Sequence, residues 1–152
     1  MLTASSPHLP EEKHQEDKLS LVALPKSLLI VEDDLSLIQL LDVILDEMRP
    51  GLDWDYATCG EKALQLIRER ARLRGEMPYS LVIADIFLED DLTGFDVWQE
   101  CQEQFPKMSF IFTSSLPFDR YYSLLKGIGN CPAYMLKPLS VSRCQSVFEQ
   151  YL

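Results

Sequence analysis

Short apolar runs alternate with stretches of helical periodicity from residue 27 to residue 152, and this alternation constrains the fold more than any other feature. The first run, LLIV at 28–31, has the length and composition of a buried strand. A helical pattern follows and ends at Pro50-Gly51; its apolar positions are Leu35, Ile38, Leu41, Leu45 and Met48. The segment predicts one strand followed by one helix.

Four more strand–helix pairs follow in the chain. The predicted strands are 54–57, 79–85, 110–114 and 133–136, and the predicted helices cover 60–73, 95–105, 121–128 and 141–151. The connections are too long for hairpins, and parallel strands need crossovers of this kind. The pattern predicts a doubly wound α/β sandwich of the (βα)5 type, with helices on both faces of a five-stranded parallel sheet.

Residues 1–24 differ in composition from the rest of the chain. They carry mixed charges without a sustained apolar period, which predicts a flexible N-terminal arm or linker before a single domain of residues 25–152. His8 and His14, both in this segment, are too isolated to indicate a metal site. The arm also lacks the apolar stretch of a secretory signal, so we expect a cytoplasmic protein.

Charge and composition exclude several function classes. The formal net charge of -10 argues against nucleic-acid binding, which depends on clustered Lys and Arg. No apolar run approaches the roughly 18 residues that a membrane span needs, so we expect no membrane partner. The four cysteines form no CxxC pair and indicate neither a zinc site nor a redox motif.

Polar side chains stand at the ends of four predicted strands. In an open parallel sheet, reactive groups gather at the carboxyl ends of the strands, so these side chains are expected to converge on one pocket. In chain order they are Glu32, Asp33 and Asp34, then Asp85, then Thr113, Ser114 and Ser115, and finally Lys137. Each has an ordinary structural explanation when taken alone; Asp34, for example, has the position of a helix N-cap. Together they indicate a site.

Clustered carboxylates require a cation, because their mutual repulsion and desolvation otherwise raise their pKa values. Oxygen ligands favour a hard ion, and Mg²⁺ fits because it accepts one or two carboxylates together with a phosphate oxygen. Lys137 supplies a further positive charge. A carboxylate beside Mg²⁺ and an ammonium group is suited to phosphoryl transfer, with the Ser114 hydroxyl available to bind a phosphoryl oxygen.

These residues resemble a known family, the response regulator receiver domains of two-component systems. The resemblance covers residues 27–152 and is carried by LLIVEDD, YSLVIADIFLEDDLTGFDVW, FIFTSS and YMLKP. It implies a flavodoxin-like fold. It also implies a Mg²⁺-dependent phosphoacceptor that receives a phosphoryl group from a sensor histidine kinase or a phosphotransfer protein. The phosphorylated domain would then dock on an unknown downstream protein, with no catalysis beyond its own phosphorylation and dephosphorylation.

The resemblance assigns roles to individual positions of this chain. Asp85 matches the phosphorylated aspartate, Glu32 and Asp33 match the metal-binding acids, and Lys137 matches the lysine that contacts the phosphoryl group. Phe87 matches the position whose backbone carbonyl binds Mg²⁺ together with Asp85.

Two positions match the switch residues of the family. Ser114 followed by Ser115 matches the switch hydroxyl and its small neighbour, although Thr113 followed by Ser114 also fits. Tyr134 matches the aromatic residue whose inward or outward rotamer accompanies activation.

The loop after Asp85 departs from the family pattern. It reads IFLEDDLTG, without the usual proline and apparently one residue longer, and it adds Glu89, Asp90 and Asp91 near the metal position. Thr93 stands where an acid is usual before Gly94. These departures leave a phosphorylation-incompetent, receiver-like binding module as an alternative. A phosphohydrolase with an aspartyl nucleophile is disfavoured, because the haloacid dehalogenase type needs a second acid at position 87.

Overall fold

The computed structural model describes residues 25–129 and 131–152. The predicted arm of residues 1–24, with His8 and His14, lies outside the described residues. The ten elements in chain order are β1 (Ser27–Val31), α1 (Leu35–Met48), β2 (Asp53–Ala57), α2 (Gly60–Arg74), β3 (Leu81–Asp85), α3 (Gly94–Gln104), β4 (Ser109–Ser114), α4 (Phe118–Leu124), β5 (Ala133–Leu136) and α5 (Val141–Tyr151).

The five strands form one parallel sheet in the order β2-β1-β3-β4-β5. Every residue of β1 and β3 is buried, as expected for central strands that are covered on both faces. The predicted flavodoxin-like (βα)5 fold is confirmed. This strand order places the carboxyl ends of β1, β3 and β4 side by side.

Two apolar layers cover the sheet. One contains residues of α1 and α5, including Leu41 and Phe148, and the other contains residues of α2, α3 and α4. Side chains alternate between these layers along each strand, because successive residues of a strand point to opposite faces. Burying one large side chain such as Phe148 contributes about 2 kcal/mol to folding.

Side chains cap the N-termini of α1 and α3, the helices that follow β1 and β3. Asp34 Oδ1 accepts hydrogen bonds from the Ser36 amide at 3.0 Å and from the Ser36 hydroxyl at 2.6 Å, which confirms Asp34 as the N-cap of α1. Thr93 caps α3 in a reciprocal capping box with Asp96. Helix α1 therefore begins directly after the acidic run that ends β1.

Helix α4 begins and ends earlier in the chain than the sequence pattern predicts. It ends at Leu124, and Gly127 adopts a φ of 89° in the turn that follows. Tyr121 and Leu125 reach the core, whereas Leu124 is 55% exposed and Ile128 lies outside the helix. A left-handed residue cannot continue an α-helix, which accounts for the early end. None of the helices in the described parts of the chain has the length and hydropathy needed to span a membrane.

Candidate functional site

The acidic residues predicted from strands β1 and β3 lie together. Carboxylate oxygens of Glu32, Asp33 and Asp85 all lie within 4.8 Å of one another. Glu32 and Asp85 are almost fully buried, with 2% and 5% exposure, and Asp33 is half-buried. Strands β1 and β3 are hydrogen-bonded neighbours, with Val31 paired to Ala84. The next residues, Glu32 and Asp85, therefore lie side by side on the same face of the sheet.

Lys137 reaches this cluster from the end of β5. Its Nζ donates to Asp85 Oδ2 at 2.8 Å and to Glu32 Oε2 at 2.9 Å. The backbone amide of Lys137 donates to the Ser114 carbonyl at 2.8 Å, which holds the start of the following loop against β4. The structure thus brings together Glu32, Asp33, Asp85 and Lys137, as the strand-end pattern predicts.

The charges in this pocket are not balanced. Burial raises the pKa of Glu32 to about 7, although the ammonium of Lys137 acts in the opposite direction. Burial also opposes the charge of Lys137, but its hydrogen bonds to Asp85 and Glu32 outweigh that effect and raise its pKa. One ammonium group faces three carboxyl groups, so the pocket favours an additional cation.

Backbone amides hold the carboxylates in place. The Phe87 amide donates to Asp85 Oδ1 at 3.0 Å, and the Asp34 amide donates to Glu32 Oε1 at 3.1 Å. The Glu89 amide donates to Asp33 Oδ2 at 3.2 Å. That last contact shows that the unusual loop after Asp85 lies beside the cluster, as the sequence pattern predicts, whereas the hydrogen bond from its amide to Asp33 had no sequence signal.

Gly94 allows this loop to pass close to β3. A Cβ atom at this position would lie 2.3 Å from the carbonyl oxygen of Asp85, a distance that backbone atoms do not permit. Glycine is therefore required here for close packing. The side chains of Glu89, Asp90 and Asp91, earlier in the same loop, are exposed.

Both candidate hydroxyl residues at the end of β4 are buried. Thr113 pairs with Asp85 in the sheet, and its carbonyl accepts from the Ile86 amide at 3.0 Å. Ser114 Oγ accepts from the Leu116 amide at 3.0 Å and so shapes the loop that precedes α4. These hydrogen bonds are compatible with either Ser114 or Thr113 as the hydroxyl that binds a phosphoryl oxygen.

Tyr134 occupies an inward position below this loop. Only 7% of its surface is exposed, and its hydroxyl donates to the carbonyl of Leu116 and, at 3.2 Å, to that of Ser114. Its ring stacks on Tyr121 with 4.1 Å between centroids and 13° between planes. Helical spacing placed Tyr121 on the apolar side of α4, but only the structure shows that it holds Tyr134.

The donor set of the acidic cluster fits a hard divalent cation. Three carboxyl groups offer oxygen atoms within 4.8 Å of one another, and each accepts a hydrogen bond from a backbone amide. Mg²⁺ prefers such oxygen ligands and retains part of its water shell. Phe87 is 56% exposed, and its backbone amide is the group that bonds Asp85.

No protein-family model matches the sequence, and no curated protein sequence matches it significantly. Solved structures do match. The signal receiver domain of a LuxO repressor protein from Vibrio parahaemolyticus is 24% identical, with a TM-score of 0.67 over 84% of this chain and 90% of that chain. The chemotaxis protein CheY4 of Vibrio cholerae is 18% identical, with a TM-score of 0.66 over 85% of this chain and 100% of that chain.

A third structure is the receiver domain of a sensor histidine kinase from Pseudomonas aeruginosa. It is 21% identical, with a TM-score of 0.61 over 84% of this chain and 98% of that chain, and a magnesium ion is coordinated in its active site cleft. These matches confirm, at the level of the fold, the resemblance to response regulator receiver domains. The chain has the receiver fold.

Proposed function

We propose that residues 25–152 are a receiver domain in which Asp85 accepts a phosphoryl group in the presence of Mg²⁺. The observation that carries this proposal is the environment of Asp85. Its carboxylate is nearly buried, one oxygen bonds the Lys137 ammonium at 2.8 Å and the other bonds the Phe87 amide at 3.0 Å. Glu32 and Asp33 stand beside it.

The proposed reaction is a phosphoryl transfer from a phosphohistidine. A carboxylate oxygen of Asp85 attacks phosphorus, the P–N bond breaks, and its electron pair leaves with the imidazole nitrogen of the donor. The acyl phosphate is later hydrolysed by water, which restores the carboxylate and releases inorganic phosphate. The donor is a sensor histidine kinase or a phosphotransfer protein, and the site of action is the cytoplasm.

The side chains of the pocket have separate tasks in this reaction. Lys137 neutralises charge that develops on the phosphoryl oxygens, a task supported by its present contact with Asp85. Mg²⁺, when bound by Glu32, Asp33, Asp85 and the carbonyl of Phe87, would neutralise the remaining charge. Neither task requires an additional catalytic base from the protein.

Ser114 is the proposed switch hydroxyl. Its Oγ and its carbonyl are hydrogen-bonded to the Leu116 amide and the Tyr134 hydroxyl, so a movement of Ser114 toward a phosphoryl group disturbs both partners. Thr113 is the alternative; its backbone carbonyl accepts from the Ile86 amide. We propose that this coupling changes how the domain docks on its downstream protein.

The test is phosphorylation with a small donor. The full chain is incubated with Mg²⁺ and acetyl phosphate, and intact mass is measured. The wild type should gain one acid-stable, base-labile phosphoryl group and Asp85→Asn should gain none, because only a carboxylate forms an acyl phosphate. Absence of labelling in the wild type would favour a receiver-like binding module, and equal labelling of the variant would reject Asp85.

A further inference from the structure

A groove with apolar residues along its length runs beside helix α4. It begins at the loops that follow β3 and β4 and continues between α3 and α4, and we call it the α3–α4 groove. Its inner part, with a volume of about 650 Å³, is lined by the apolar residues Phe87, Leu116 and Leu124 and by the polar residues Asp119, Arg120 and Ser123. Leu124 also lines the adjoining part, where the wall continues through Phe95, Trp98 and Ile128. The shared residue joins the two parts into one elongated depression.

The apolar side chains of this groove face outward. Leu124, Phe87 and Ile128 are all substantially exposed, whereas Tyr121 and Leu125 of the same region are buried in the core. Exposed apolar surface of this extent is unfavourable in water, and contiguous patches are typical of sites that a partner covers.

The charges beside the groove indicate the chemistry of its partner. The segment 87–105, which forms the loop and helix of one wall, contains six Asp or Glu residues and neither Lys nor Arg. Glu89, Asp90, Asp91 and Glu103 of this segment are exposed. The opposite wall, 116–129, is nearly neutral, with Asp119, Arg120 and Lys126. An apolar occupant with flanking basic residues matches this arrangement.

The same charges disfavour the two occupants that the chain itself offers. A second copy brings a formal net charge of -10 to an acidic wall. Residues 1–24 contain four Asp or Glu and two Lys, so they also carry net negative charge. Like charges facing one another across an interface are repulsive.

We propose that the α3–α4 groove binds an amphipathic helix of a partner protein, with its apolar face in the groove and Lys or Arg on its flanks. A groove between two helices accepts such a helix through anchors at i, i+3, i+4 and i+7. Leu124 lies at the centre and is the expected anchor position, because it lines both parts of the groove.

The inner part of the groove is connected to the carboxylate pocket through backbone hydrogen bonds. The amide of Phe87 bonds Asp85, and Leu116 bonds Ser114 and Tyr134. A helix seated on Phe87 and Leu116 therefore touches two segments that shape the pocket. Binding itself does not require phosphorylation, so it is tested on the unphosphorylated chain, independently of the proposed phosphoacceptor.

The experiment measures fluorescence anisotropy of a labelled synthetic helix made of Leu and Lys, with Leu at i, i+3, i+4 and i+7, titrated with the full chain. A peptide with Glu in place of every Lys, and a scrambled peptide of the same composition, serve as comparisons. The Lys peptide should bind at least about tenfold more tightly than either. Equal binding of all three peptides, or no binding of the Lys peptide, would overturn the proposal.

The location is tested with matched variants. Leu124→Glu should weaken binding of the Lys peptide by about tenfold or more, because it places a charge in the apolar groove. Leu73→Glu is the control, since Leu73 is 89% exposed on α2 and lines neither part of the groove, and it should bind as the wild type does. Both replaced side chains are exposed, so both variants should fold, which circular dichroism verifies. Unchanged binding by Leu124→Glu would reject this location.

Two further measurements test the two other possible occupants of the groove, a second copy of the chain and residues 1–24. Sedimentation that shows a dimer dissociated by Leu124→Glu would assign the groove to a second copy. Hydrogen exchange that shows protection of residues 1–24, lost in the same variant, would assign it to the arm. Either result would overturn the proposal of a basic partner helix, and monomeric, unprotected chains would support it.

Discussion

Lys137 Nζ lies 2.8 Å from Asp85 Oδ2, although Lys137 follows β5, Asp85 ends β3, and these two strands are not neighbours in the sheet. Strand β4 lies between them, so the lysine extends over the end of β4 to reach the carboxylate. The long side chain permits this reach, and the contact ties one edge of the sheet to its centre. Loss of the ammonium group should therefore affect stability as well as chemistry.

Replacing Lys137 with Met should lower both the rate of phosphorylation and the free energy of unfolding. The variant leaves Glu32 and Asp85 buried without their cation, and we expect a cost of about 2 kcal/mol, less than for a fully enclosed pair. The folded-state pKa of Glu32 is already raised to about 7 by burial, so stability is lost as pH rises through that value.

The deficit of Lys137→Met should accordingly be larger at about pH 8 than at about pH 5, where Glu32 can be protonated. Urea unfolding of the variant and the wild type at both pH values measures it. Lys126→Met is the control, because Lys126 is an exposed lysine after α4. A deficit that is equal at both pH values would contradict the electrostatic explanation.

Asp33→Ala should lose at least about tenfold in Mg²⁺ affinity, because it removes one of the few protein ligands that the ion has. The neighbouring Asp34→Ala variant offers a close comparison. Asp34 caps α1, so its loss should reduce stability and leave Mg²⁺ affinity nearly unchanged. Calorimetric titration with Mg²⁺ distinguishes the two, and similar affinities for both variants would count against the proposed metal site.

Ser114→Ala should slow phosphorylation by acetyl phosphate by about tenfold, because one hydrogen-bond donor to the phosphoryl group is lost. Thr113→Val removes the adjacent hydroxyl without changing the size of the side chain and should retain nearly the wild-type rate. Time courses of intact mass for the two variants make the comparison. The reverse result would transfer the switch role to Thr113.

Phe87→Asn should shorten the lifetime of the phosphorylated state by about tenfold, because an amide can orient the attacking water, which an apolar ring cannot do. Phe87 and Leu116 lie in the loops that follow Asp85 and Ser114 and line the same cavity, so we expect these two apolar residues to flank the path of this water. Decay of the phosphorylated chain with Mg²⁺ gives the lifetime. Phe118→Asn, an exposed phenylalanine of α4, is the control. Hydrolysis that is unchanged or slower in Phe87→Asn would show that Phe87 does not shield the path.

The sequence alone was sufficient for the order of the strands and helices and for the convergence of Glu32, Asp33, Asp85 and Lys137. Strand and helix periods are local properties, so LLIV at 28–31 and the helical spacing after Leu35 were readable without any tertiary contact. Acids at two strand ends and a lysine at a third were readable for the same reason. Their convergence followed from the general geometry of parallel sheets.

Tertiary structure decided the remaining features, because they depend on contacts between segments distant in the chain. No local sequence period predicts the stacking of Tyr134 on Tyr121, the hydrogen bond from the Glu89 amide to Asp33, or the α3–α4 groove. The exposure of Leu124 also depends on tertiary contacts. Its spacing on α4 matches a core position, but whether a helix residue is covered depends on which neighbouring segment packs against it.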